Sequence, residues 1–87
     1  MKHKLAWHEN AWEDYLYWFE ADKKILVKIN DLISAIDRDP FQGIGKPEPL
    51  RHGLKGFWSR RITQEHRLIY IVDKAFLTIA ACRYHYK

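Results

Sequence analysis

Glu65-His66-Arg67-Leu68-Ile69-Tyr70-Ile71-Val72 is a β-branched and aromatic run with an arginine at its polar end. Its length and composition suit a strand in the middle of a sheet. Residues 56–62 before it and 76–83 after it are similar runs, separated from it by the polar breaks Thr63-Gln64-Glu65 and Asp73-Lys74. Breaks this short predict an antiparallel meander. In a meander the end of the first strand, the start of the second and the end of the third meet at one edge. That edge gathers Arg60, Arg61, Arg67 and the tail Arg83-Tyr84-His85-Tyr86. Cations converging from three strands, with a histidine and two tyrosines among them, predict an anionic ligand.

The charge distribution points the same way. Residues 1–45 carry six Lys/Arg against eight Asp/Glu, whereas residues 46–87 carry nine against three. The sheet half is therefore strongly basic, which suits a polyanion or an acidic partner better than a uniformly solvated surface. With 87 residues the chain is expected to be a single domain, 1–87, whose one core must pack efficiently. A lone cysteine excludes an internal disulfide framework, and the sequence has neither a leader pattern nor a long apolar run, so a cytoplasmic protein without a membrane association is expected.

Taken in order, Lys4-Leu5-Ala6-Trp7-His8 reads as a short N-terminal strand. Asn10 with Glu13 fits a capping box, and Trp12, Tyr15, Leu16 and Phe19 then recur at helical spacing as a core-facing stripe up to about Ala21. Asp22 caps a second helix with the stripe Ile25, Ile29, Leu32, Ile33 and Ile36, which Pro40 ends. A helical hairpin against a small antiparallel sheet is an α+β domain of two layers. Between helix and meander, residues 41–49 hold Gly43, Gly45, Pro47 and Pro49 and read as a restrained loop, without the spacing of a phosphate-binding P-loop. Inside it Glu48 sits between two prolines, a stiffly held carboxylate in a cationic half, either ion-paired with Lys46 or Arg51 or catalytic.

Histidines 3, 8, 52, 66 and 85 show no two-ligand helical spacing, so no metal is expected. Cys82 alternates with Ala80 and Thr78 and reads as a packing residue, and His52 and His66 as ordinary surface or turn histidines. Glu48, Arg67 and His85 remain, with Arg61, Tyr84 and Tyr86 beside them. RNA brings its own nucleophile, the 2′-hydroxyl, so its cleavage needs a base, an acid and charge stabilisation but no cofactor. Those residue types supply all three.

Lys46-Pro47-Glu48-Pro49-Leu50, residues 56–62, Glu65-His66-Arg67-Leu68 and Ala80-Ala81-Cys82-Arg83-Tyr84-His85-Tyr86 together resemble the YoeB toxins of bacterial toxin-antitoxin pairs, within the RelE/ParE superfamily. The resemblance runs from Trp7 to Tyr86 and includes Asp14-Tyr15-Leu16-Tyr17-Trp18. It implies the RelE-like fold and a ribosome-dependent mRNA endonuclease, silenced by an acidic antitoxin of the YefM/Phd kind. It further implies Glu48 as general base, Arg67 as stabiliser of the phosphorane, His85 as general acid and Tyr86 as a catalytically important tyrosine. Lys46, Arg51, Arg60, Arg61, Arg83 and Tyr84 are the expected RNA contacts, with ribosome and mRNA as partners and pairing of two copies left open. Two departures are Lys87, which follows a tyrosine that ends the family pattern, and Arg51, where lysine is common.

The residues alone bring Arg67 and His85 together but not Glu48, because its loop precedes the first meander strand, whose start lies at the opposite edge. His85, followed only by Tyr86 and Lys87, would depend on its flanking tyrosines for anchorage. A rival function is a non-catalytic toxin of the same fold that binds and inhibits DNA gyrase; such a binder has no chemical reason to assemble Glu48, Arg67 and His85.

Overall fold

In the computed structural model, which describes residues 1–84, the chain runs β1 (Lys4–Trp7), α1 (Glu9–Ala21), α2 (Lys23–Arg38), β2 (Glu48–Pro49), a 3-10 turn (His52–Leu54), β3 (Trp58–Arg61), β4 (Arg67–Val72) and β5 (Phe76–Ala81). His85, Tyr86 and Lys87 lie outside the described residues. The strands form one sheet in the order β1-β5-β4-β3-β2, with β4 in the middle as its composition predicts. Strands β3, β4 and β5 are the expected antiparallel meander. The N-terminal strand β1 lies parallel to β5, from Lys4 opposite Phe76 to Trp7 opposite Ile79. A fifth strand comes from the loop itself, where Glu48 pairs with Ser59 and Pro49 with Trp58.

Asp22 caps α2 as expected, its carboxylate accepting the Lys24 and Ile25 N–H groups. Ile29, Leu32, Ile33 and Ile36 are buried against Leu68, Tyr70, Leu77 and Ile79 of the sheet, with Ile25 half-buried beside them. Each such side chain contributes about 2 kcal/mol relative to exposure.

Helix α1 departs from its predicted stripe. Ala11 and Trp18 are its buried residues, whereas Trp12, Leu16 and Phe19 are 45, 46 and 50% exposed. Ala11, Asp14, Tyr15 and Trp18 share a helical face just as Trp12, Tyr15, Leu16 and Phe19 do, and in so aromatic a helix the pattern does not choose between them. Trp12 packs instead with Trp7 and Tyr15 in a surface aromatic cluster. The capping box is not formed either: α1 begins at Glu9 behind His8, and the Asn10 amide donates to the Ala80 carbonyl at 2.7 Å.

That carbonyl belongs to a bulge. Ile69 faces Ala81 while Tyr70 faces Ile79, so Ala80 is an extra residue in β5. One extra residue reverses the alternation beyond it. Cys82 thereby joins Leu77 and Ile79 on the core face instead of following Ala80 and Thr78, and it is fully buried. Burial pushes its thiol up to about 12, the Asp14 charge adding to the shift. This is the packing role expected for Cys82. No helix among the described residues is long and apolar enough to cross a membrane.

Candidate active site

Residues directly opposite on neighbouring strands project to the same face of a sheet. Glu48 is opposite Ser59, Ser59 opposite Ile69, and Ile69 opposite Ala81, so these four share one face. Arg61 and Arg67, themselves cross-strand partners, are two residues from Ser59 and Ile69 and share it too. The helices cover the other face, where Trp58, Tyr70 and Ile79 meet. Strand β2 thus brings Glu48 onto the arginine face, two strand spacings or about 10 Å from the β4 backbone. The opposite-edge argument from the meander fails because the loop returns as a strand paired along β3.

Two arginines directly opposite each other repel. Among the described residues no carboxylate lies within ion-pairing distance of Arg61 or Arg67, and Glu48 pairs with neither Lys46 nor Arg51. Lys46, Glu48 and Arg51 are all exposed. Arg67 is half-buried and spends Nη1 on the β3–β4 turn, donating to the carbonyls of Thr63 at 2.8 Å and of Gln64 and His66 at 3.1 Å. Its Nε and Nη2 have no hydrogen-bond partner among the described residues. The result is a cationic pair, one member of which the turn backbone holds in place, with a carboxylate on the same face.

Arg60, expected among the RNA contacts, is fully buried. Its guanidinium donates to the Tyr70 hydroxyl and to the carbonyls of Asp39, Gln42 and Ile44. The Tyr70 hydroxyl in turn donates to the Pro40 carbonyl at 2.7 Å. Alternation along β3 turns Arg60 inward where Arg61 faces out, so its charge is committed to holding residues 39–44 against the sheet. Gly45 continues this seam at φ +84, and a Cβ there would lie 2.8 Å from Leu32 Cδ2 and 3.1 Å from the Arg61 carbonyl. Lys46, also in the left-handed region at φ 51, then turns the chain into Pro47 and Glu48. The loop is therefore built from the core outward to present Glu48.

Residues 82–84, which lead into the tail, are held from several sides. Trp18 Nε1 donates to the Cys82 carbonyl, and the Cys82 N–H donates to Asp14. Burial raises the Asp14 pKa, opposed by that hydrogen bond and by the nearby Arg83 charge. The Arg83 guanidinium carbon lies 3.5 Å from the Tyr17 ring centre and 4.7 Å from that of Tyr84. Tyr84 donates its N–H to His66 Nδ1 at 2.7 Å, and its carbonyl accepts the Arg67 N–H at 2.9 Å. The Tyr84 ring remains exposed. His85 and Tyr86, expected as acid and catalytic tyrosine, fall outside the described residues. No group of three or more His, Cys, Asp or Glu among the described residues could hold a metal ion.

The model of the family described as the YoeB-like toxin of bacterial type II toxin-antitoxin system matches residues 7–86. The chain belongs to that family. It is 65% identical over 83 residues to Toxin YoeB of Escherichia coli strain K12, covering 95% of this chain and 99% of the relative. The structure of the YoeB dimer from Staphylococcus aureus superposes with a TM-score of 0.94 at 47% identity, covering 99% of this chain and 100% of that one. The heterotetrameric YoeB-YefM complex from the same organism gives 0.90 at 47% identity, with the same coverage. The chain is thus a type II toxin with the RelE-like α+β fold anticipated from its sequence. What sequence reasoning missed in this toxin is the set that holds Cys82 and Tyr84, namely Asp14, Trp18 and His66. Asp14 and Trp18 lay within the quoted resemblance, but only the fold brings α1 against the end of β5.

Proposed function

We propose that this toxin is a ribosome-dependent mRNA endonuclease that cuts the codon in the ribosomal A site without a metal. The observation that carries this reading is that β2 sets Glu48 on the face of Arg61 and Arg67, where Tyr84 hydrogen-bonds Arg67 and His85 is the next residue. In this reaction the Glu48 carboxylate takes the proton of the 2′-hydroxyl as its oxygen bonds to phosphorus. Arg67, assisted by Arg61, stabilises the charge gathering on the phosphorane. The bond from phosphorus to the 5′ oxygen then breaks, and that oxygen takes a proton from His85, leaving a 2′,3′-cyclic phosphate and a 5′-hydroxyl. Tyr86 supports the same centre, while the exposed Lys46 and Arg51 follow the flanking phosphates and the exposed Tyr84 ring contacts the RNA. Arg83, over the Tyr17 ring and near that of Tyr84, adds positive potential. The cytoplasm is the place of action. By the precedent of the Staphylococcus aureus proteins, its partners are an acidic YefM-like antitoxin and a second copy of the toxin.

Primer extension on a message in translating extract tests this reading. Wild-type toxin should give cuts inside codons, and Arg67→Ala and Glu48→Gln should lower cutting by on the order of 100-fold while co-sedimentation with ribosomes persists. Equal loss of binding and cutting in Arg67→Ala would make Arg67 a docking residue. Growth arrest by the wild type with no cut message would replace the nuclease by a binding toxin, such as an inhibitor of DNA gyrase.

A further inference from the structure

We propose that His66, unprotonated at Nδ1, is the positioning residue that fixes the left-handed turn at Tyr84 beside Arg67. Tyr84 is a non-glycine residue at φ 64, in the left-handed region. That conformation is strained for a residue with a Cβ and needs compensating contacts. Both come from consecutive residues of one turn: His66 Nδ1 accepts the Tyr84 N–H at 2.7 Å, and the Arg67 N–H donates to the Tyr84 carbonyl at 2.9 Å. A backbone N–H can only donate, so Nδ1 must carry a lone pair and the ring proton sits on Nε2. Nε2 lies 3.5 Å from Glu65 Oε1. The ring is itself fixed, buried edge-on to Trp18 with centroids 4.8 Å apart.

Sequence spacing gives this contact its consequence. His85 follows Tyr84 directly, so the direction in which the chain leaves the left-handed residue governs how the catalytic acid approaches the phosphate. A latch of this kind is sensitive to protonation. A proton on Nδ1 would replace the acceptor with a donor facing another donor, and Tyr84 would be released. The charged and titratable groups around the ring are Asp14 on α1, Glu65 in its own turn, Arg67 on β4, and Arg83 and Tyr84 in the tail. They include both signs, and His66 stands between them as the group whose neutral form the latch requires.

Two variants separate this role from simple packing. His66→Phe keeps a ring against Trp18 but removes the acceptor, whereas His66→Asn places a carbonyl oxygen near the Nδ1 position and does not titrate. Amide exchange at Tyr84, followed by NMR on the whole toxin, should show protection in the wild type and in His66→Asn and its loss in His66→Phe. Lowering the pH through the range in which imidazoles take up a proton should release the amide in the wild type but not in His66→Asn. Equal protection in all three proteins overturns the proposal. The cleavage readout rests on the nuclease reading above: His66→Phe should lower the rate with ribosomes saturating by on the order of 100-fold, and His66→Asn should restore most of it. Full activity in His66→Phe, or no rescue by His66→Asn, also overturns the positioning role. Should wild-type toxin cut nothing, the nuclease reading fails and the amide measurement alone decides the latch.

Discussion

Arg60 and Arg61 are adjacent in sequence and opposite in role, because a strand turns consecutive side chains to opposite faces. Arg60→Met should cost about 3 kcal/mol in urea unfolding, since the change leaves three loop carbonyls and the Tyr70 hydroxyl without their donor. Arg61→Gln should stay within about 0.5 kcal/mol, or gain slightly, because it relieves repulsion with Arg67. A reversed order of stabilities would put Arg61 in the fold and Arg60 in the site. Composition alone counted both as surface cations. Their difference rests on strand phase, and the apolar neighbours that reveal the phase, Trp58 and Ile62, were already in the sequence.

Helix α2 was readable in full because an isoleucine stripe, an aspartate cap and a following proline agree; α1 was readable as a helix but not in its orientation. Strand β2 was hidden, since Pro-Glu-Pro has no strand pattern and pairs only because Arg60 and Gly45 hold the loop along β3. Gly45→Ala should therefore destabilise the toxin by about 2 kcal/mol and slow cutting further than stability explains, as the displaced seam carries Glu48 with it. Undiminished cutting per folded molecule would disconnect the loop from the site. The start of the chain is tied in a different way: Asp37 accepts the Lys2 and His3 N–H groups at 2.9 Å and contacts His3 Nδ1 at 2.8 Å. The Lys2 hydrogen bond, ahead of those from His3, lowers its pKa to about 2. A carboxylate depressed by folding stabilises the fold fully above its unfolded range, near pH 4, and loses that contribution as the pH falls toward about 2. Asp37→Asn should be less stable at neutral pH and converge with the wild type at the acid end of that window. Parallel stability curves across it would show that the charge does not matter.

Arg61 and Arg67 of the basic half stand on the sheet face away from the helices, and an acidic antitoxin segment laid over that face would meet both together. Replacing both with Gln should weaken antitoxin binding by on the order of tenfold or more and flatten its salt dependence, read by calorimetry at two ionic strengths. Unchanged affinity would place the interface elsewhere, with the exposed apolar residues of α1 as the next surface to test. Local pattern was sufficient for the hairpin, the meander and the family, because burial alternation and turn chemistry act over a few residues. Other features had no local signature: the parallel docking of β1 on β5, the return of the loop as β2, the Ala80 bulge and the hold on Tyr84. Each is made by partners far apart in the chain, as Asn10 with Ala80 across 70 residues and His66 with Tyr84 across 18. A hydrogen bond between such segments exists only once the chain has folded, so the geometry that sets Glu48 on the face of Arg67 and Tyr84 beside it belongs to the packed molecule.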